Sequence, residues 1–202
     1  MGLTGERERG VSEDDARIVI RFCDIVFASF GLVLLSPLFL VLLILSWFDT
    51  RSPLFIQERI GRYQRPFLLI KFRTMLLGTE HVASHLANSA SITRLGALLR
   101  RTKLDELPQL FNVLLGHMSL VGPRPGLYNQ RELTQARAVL GVYAARPGIT
   151  GLAQVNGIDM STPELLAQTD ARMLRELNLL VYFQYIFLTA LGAGAGDRIK
   201  KS

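Results

Sequence analysis

The longest feature in the hydrophobic pattern is an uninterrupted apolar run over residues 25–48, set against an otherwise arginine-rich chain. As a straight helix, its roughly 24 residues would reach about 36 Å, enough for a bilayer core of roughly 30 Å. Ser36-Pro37 falls at its middle. There the proline removes a backbone donor and clashes with the preceding turn, dividing the run into arms of about 11 residues. Arg7, Arg9, Arg17 and Arg21 precede the run, and Arg51, Arg59, Arg62 and Arg65 follow it. A single-pass anchor shows a one-sided excess of positive charge, whereas a hairpin with both ends on one face balances the flanks. The pattern therefore points to a re-entrant helix broken at Ser36-Pro37, and a kinked spanning helix stays open beside it.

After residue 50 the periodicity changes. Residues 67–74 are short, apolar and partly alternating, which predicts a strand in a hairpin turning at Gly61. Residues 76–91 are polar and mixed and predict a loop with a helical turn. Residues 94–101 predict a helix with Leu95, Leu98 and Leu99 on one face. The next helix is expected to start with Asp105 as N-cap and stop before Gly116, with Pro108 in its first turn. Leu107, Leu110, Phe111 and Leu114 would form its buried face. Two Pro-containing turns follow, Gly122-Pro123-Arg124-Pro125 and the segment 146–151, each holding an arginine. A second helical region covers 163–190 behind Thr162. Its end, 179–191, is apolar except for Gln184 and Thr189 and is too short to span. Glycines at 192–196 lead to a flexible ending with Arg198, Lys200 and Lys201.

This organisation gives an α+β class, predominantly helical. A polar segment (1–20) precedes the membrane helix (21–50), a catalytic domain with a short β-hairpin and interfacial amphipathic helices (51–191), and a basic C-terminus (192–202). There is no internal repeat. The N-terminus does not read as a cleaved signal peptide, because Glu6, Glu8, Glu13, Asp14 and Asp15 dilute its positive charge.

Composition sharpens the picture. The chain has 202 residues, 49% of them hydrophobic, with a net charge of +6 and a pI near 9.9, so an anionic partner is expected. Cys/His finger spacing and RNP-like aromatic motifs are absent, which turns the reading from nucleic acid towards anionic lipid and a diphosphate. Cys23 alone makes no internal disulfide and no metal cluster. His81 and His85 lack a third ligand for zinc, and His117 reads as a turn residue.

Candidate chemistry centres on Asp105-Glu106. Two carboxylates beside a helix start would repel a phosphate unless a divalent ion such as Mg²⁺ sat between them. Arg100, Arg124 and Arg146 would supply the remaining positive charge, the last two on rigid turns.

With these residues placed, the chain resembles the monotopic phosphoglycosyl transferases, bacterial sugar transferases, from about residue 21 to 189. The likeness rests on 71–75 (KFRTM), 98–100, 104–112, 118–125 and 146–157. The resemblance implies a Ser-Pro-broken re-entrant helix on the cytoplasmic face of the inner membrane. It implies transfer of a sugar-1-phosphate from a UDP-sugar, expected to be an N-acetylated hexosamine or deoxy derivative, to undecaprenyl phosphate. UMP would be released in the first membrane step of surface-glycan assembly. Asp105 would be the nucleophile and a metal contact, Glu106 the supporting carboxylate, and Mg²⁺ the cofactor. Lys71, Arg73 and Gln154, in the matching stretches, join Arg100, Arg124 and Arg146 as expected substrate or phosphate contacts. Membrane lipid is an expected partner, nucleic acid is not, and a homodimer is allowed. His117, Tyr182 and Gln184 depart from the common pattern, outside the dyad, and the chain reads as a minimal catalytic form. The alternatives are a catalytically silent membrane scaffold and a basic nucleic-acid-binding protein.

Overall fold

The computed structural model describes residues 4–79 and 91–194. His81, His85, most of the 76–91 loop and the basic tail at 198–201 lie outside the described residues.

Helix α1 (Thr4–Leu34) and helix α2 (Ser36–Thr50) form the N-terminal arm. The break lies at Ser36-Pro37, where the Ser36 hydroxyl donates to the Val33 carbonyl at 2.8 Å. Pro37 opens α2, where its missing N–H does no harm. No single helix is long and apolar enough to cross a membrane; Asp15–Leu34 and Ser36–Thr50 pass that test together, bent by 65°. Helix α1 runs through residues 20 and 21 without interruption, so the expected boundary there is not a structural one.

Strands β1 (Leu54–Ile60) and β2 (Pro66–Phe72) form the expected antiparallel hairpin around Gly61. Helix α3 (Arg94–Thr102) follows, capped by the Thr93 hydroxyl accepting from Gly96 N–H at 2.9 Å. Leu99 and Gly96 are its buried residues, while Leu98 is exposed. The expected helix from Asp105 is different. Residues Leu104–Glu106 form a 3-10 turn, and α4 spans only Gln109–Leu114. Pro108 is the reason: without an N–H it cannot bond to the Leu104 carbonyl, so i→i+3 bonds carry the chain until the proline is passed. Its buried face also differs, with Phe111 exposed and Asn112 and Val113 buried. Asn112 donates to Leu68 O at 2.7 Å and accepts from Ile70 N–H at 3.0 Å, tying α4 to β2.

A two-stranded parallel sheet, β3 (Ser119–Val121) beside β4 (Gly148–Thr150), was not visible in the periodicity. A Cβ on Gly148 would lie 2.0 Å from Gly122 N, so the two turns approach as closely as backbone allows. Helix α5 (Arg131–Val139) and the short α6 (Leu152–Val155) complete the middle of the chain. The region 163–190 is two helices, α7 (Pro163–Glu176) and α8 (Leu179–Ala190), separated where Asn178 turns extended and caps α8. Thr162 precedes α7 without a side-chain cap bond.

The N-terminal arm belongs to the core of the molecule. Ala28 of α1 packs with Phe67, Leu69, Val113 and Met118, and Leu42 of α2 with Phe72 and Leu99. Arg21 donates to the Val113 and Leu114 carbonyls at 2.8 and 3.1 Å, satisfying the end of α4. Asp24, fully buried, accepts through Oδ1 from Ser119 Oγ, Leu120 N–H and the Tyr182 hydroxyl, each at 2.9 Å. One carboxylate oxygen thus joins α1, β3 and α8. Asp24→Ala would strand three donors, two of them fully buried, at a cost of about 3 kcal/mol or more. Thermal unfolding of the purified protein should show a large loss for Asp24→Ala and a smaller one for Asp24→Asn, which keeps an acceptor.

Candidate active site

Helix α3 ends at Lys103, whose left-handed backbone (φ 57°) reverses the chain into the 3-10 turn. Asp105 therefore sits inside that turn, not at a helix N-cap, and its carboxylate is not spent on capping. No hydrogen bond from another described residue engages it. It is 8% exposed and lines a cavity shared with Glu106, Lys71, Arg100, Lys103, Arg59 and Arg124. Asp159 completes the charged set, giving five cationic side chains to three carboxylates. Uncharged side chains also line the cavity: Ile149, Ile158, Met160, Leu166 and Gln154.

The cations come from four places: Arg59 from β1, Lys71 from β2, Arg100 and Lys103 from α3 and its C-terminal cap, Arg124 from the turn after β3. Arg124 Nη2 donates to Glu106 Oε1 at 2.8 Å, and that carboxylate strengthens the hold of the guanidinium on its proton. Burial lowers Lys71 to about 8; Asp105 opposes this, and Arg59, Arg100 and Arg124 add to it. Arg59 is lowered to about 10 by burial and by Arg124, with Glu106 opposing. Lys103 is lowered too, chiefly by burial, and its ammonium donates to Ala193 O at 3.0 Å.

The turn carrying Arg124 is held at every carbonyl. Gly122 O accepts from Gln154 Nε2 at 3.2 Å, Pro123 O from Gly148 N–H at 2.9 Å and Arg124 O from Arg137 Nη1 at 2.8 Å. Pro125 O accepts from Arg59 Nη1 at 3.1 Å and Gly126 O from Ile60 N–H at 3.0 Å. Two prolines fix φ between these bonds. The arginine is presented on a frame with few ways to relax.

Of the residues expected from sequence, Asp105, Glu106, Lys71, Arg100, Arg124 and Gln154 line one cavity. Arg146 and Arg73 do not. Arg146 Nε donates to Gly116 O at 2.9 Å, helping Arg21 close the end of α4. Arg73 bonds Ser52 O, Ser52 Oγ and Leu54 O and stacks over Phe55. Both arginines serve the frame. Sequence reasoning missed Lys103 and Asp159 as cavity residues. Arg59 was read only as a flanking charge. Nothing in the spacing of these residues brings them to one place.

The donor set bears on a divalent ion. Among the described residues no three His, Cys, Asp or Glu side chains gather as a metal cluster. Mg²⁺ keeps several waters and takes one or two carboxylates together with substrate phosphates. Adjacent Asp105 and Glu106 in a cation-rich cavity fit that partial site and would not fit a full protein cage.

Burial raises Asp105 to about 6, Glu106 adding to the rise and Lys71, Arg100 and Arg124 opposing it. A carboxylate raised on folding contributes stability that is full below its ordinary 3.8 and lost as pH rises through about 6. In chelator at neutral pH, Asp105→Asn should therefore melt higher than the wild type, by the equivalent of roughly 1–3 kcal/mol. The pH dependence of stability between about 4 and 6 should flatten as well. Calorimetry across pH checks both.

The profile described as "Bacterial sugar transferase" matches residues 15–194. A "UDP-glucose:undecaprenyl-phosphate glucose-1-phosphate transferase" of Xanthomonas campestris pv. campestris is 38% identical over 199 residues, covering 92% of this chain and 41% of that protein. The "UDP-galactose-lipid carrier transferase" of Erwinia amylovora is 37% identical over 164 residues, covering 73% of the chain and 34% of its own length. "Exopolysaccharide production protein PSS" of Rhizobium leguminosarum bv. phaseoli is 38% identical over 178 residues, 84% of the chain and 88% of its own. The chain thus spans less than half the length of the first two relatives.

Proposed function

The chain belongs to the bacterial sugar transferase family, and on that premise we propose that it is a membrane-associated phosphoglycosyl transferase. It moves a sugar-1-phosphate from a UDP-sugar to undecaprenyl phosphate and releases UMP. The observation that carries this reading is the Asp105–Glu106 pair, which lines one cavity with Lys71, Arg100 and Arg124.

The reaction proceeds in two displacements. An Asp105 carboxylate oxygen attacks the phosphorus that bears the sugar. The bond from that phosphorus to the bridging oxygen breaks, and UMP leaves with the bridging oxygen. A phosphate oxygen of the lipid then attacks the same phosphorus, and the Asp105–phosphorus bond breaks. Lipid diphosphosugar is formed and the free carboxylate returns. A carboxylate attacking an anionic phosphoryl group needs that charge screened. Lys71, Arg100 and Arg124 do this, with Arg124 able to pass from Glu106 to a phosphate oxygen. Mg²⁺, held by Asp105 and Glu106, would supply further screening of the diphosphate oxygens. The uncharged side chains of Ile158, Met160 and Gln154 suit the uridine or the sugar.

The lipid acceptor explains why the bent apolar helices pack directly against the catalytic elements. The arm α1–α2 would enter the cytoplasmic leaflet and turn back, bringing the lipid phosphate to the site. Exposed Phe22, Phe30, Trp47 and Phe48 offer the apolar contact. Relatives named for glucose and galactose support including plain hexoses beside the expected N-acetylated hexosamines among the donors to test.

Purified protein with Mg²⁺, undecaprenyl phosphate and a panel of UDP-sugars should release UMP with at least one donor. Asp105→Asn should abolish release and Arg124→Ala should lower it by about two orders of magnitude. Undiminished release from Asp105→Asn would exclude the carboxylate as nucleophile.

A further inference from the structure

Of the five donors that hold the Arg124 turn, one comes from a fully buried ion pair. The Arg137 and Asp170 side chains are 2% and 0% exposed, and they join α5 to α7. Taking two charges out of water rarely gains more stability than apolar packing of the same volume. The geometry is also not the one that best serves the pair. Arg137 Nε and Nη2 both donate to Asp170 Oδ2, at 2.9 and 2.6 Å. Asp170 Oδ1 is buried with no hydrogen-bond partner among the described residues. A two-oxygen fork would satisfy both acceptors. Instead the guanidinium is turned so that Nη1 reaches the Arg124 carbonyl at 2.8 Å.

That carbonyl matters because of its neighbours. Pro123 and Pro125 have fixed φ, so few torsions are left in the turn, and the peptide plane after Arg124 is one of them. Pinning its oxygen fixes that plane. The other four donors hold the turn from the sheet side, the α6 side and the hairpin; only Arg137 reaches the carbonyl of the arginine itself.

We propose that Arg137, oriented by Asp170, is a positioning residue that fixes Arg124 against the Asp105–Glu106 pair. Its effect on turnover rests on the transferase reading; its effect on the turn does not. Arg137 touches no substrate and acts only through Arg124.

Replacing one member would leave a buried charge, so the test uses Arg137→Met together with Asp170→Leu in the full chain in detergent. Two readouts are taken. Amide exchange at Gly148 and Leu127, whose N–H groups bond Pro123 O and the Gln130 side chain, should quicken by about tenfold while the β1–β2 hairpin is unchanged. The kcat for UMP release should fall by about tenfold or more, as expected when a charge-stabilising group is misplaced. In an Arg124→Lys background the same two substitutions should change kcat by less than about twofold, because the group they position is already altered.

Unchanged exchange at Gly148 and Leu127 overturns the proposal, as does an undiminished kcat in the folded double variant or a loss that multiplies with Arg124→Lys. If the double variant does not fold, Arg137→Lys serves. It keeps a charge for Asp170 but loses the second arm, and wild-type exchange there also overturns the proposal. If wild-type protein releases no UMP, the transferase reading fails, and the exchange result alone decides whether Arg137 holds the turn.

Discussion

Two adjacent carboxylates cannot remain in a largely enclosed cleft without cations to balance them, and this requirement organises the molecule. Asp105 is almost wholly buried beside Glu106, and its raised pKa records the cost. The balance is supplied from elements far apart in sequence. β1 and β2 bring Arg59 and Lys71, α3 brings Arg100, and the turn after β3 brings Arg124. Burial holds Lys71 below its ordinary value, and Arg59, Arg100 and Arg124 add to the effect. The cavity thus carries more positive than negative side chains, an excess that the diphosphate of the proposed donor would balance.

Holding like charges together demands a stiff frame. Five successive carbonyls of the Arg124 turn are each captured by a donor from another part of the chain. Arg21, Arg146 and Arg73 spend their guanidiniums on backbone carbonyls and turns around the site. The apolar arm takes part as well. Asp24 of α1 gathers Ser119, Leu120 and Tyr182 on one oxygen, and Ala28 lies in the core beneath β2 and α4. A helix pair that would meet the lipid is therefore continuous with the strand that leads to Arg124.

Local signals in the sequence carried part of this. Ser36-Pro37 foretold the bend, Gly61 the hairpin, and the 104–112 motif the dyad, because each depends on neighbours along the chain. Pro108 does more than occupy a first turn: it divides the expected helix and leaves Asp105 in a 3-10 turn. The parallel pairing of β3 with β4 joins segments of three residues each, too short for periodicity to register. Arginines were the hardest to read. A motif places an arginine but not its direction, so Arg146 and Arg124 looked alike until one was found on Gly116 O and the other on Glu106. Arg137 and Asp170 gave no signal at all, lying 33 residues apart on ordinary amphipathic helices. Tyr182, a departure from the family pattern, acquires a reason as the third donor to Asp24.

The central claim is that Asp105 carries the phosphosugar between two displacements. Intact-mass measurement tests it most directly, on full-length protein incubated with Mg²⁺ and the UDP-sugar it uses, without lipid acceptor. The account predicts a gain of one sugar phosphate, located on the peptide containing Asp105 and discharged when undecaprenyl phosphate is added. An adduct on another residue, or UMP release that requires the acceptor and proceeds with no adduct, would contradict it.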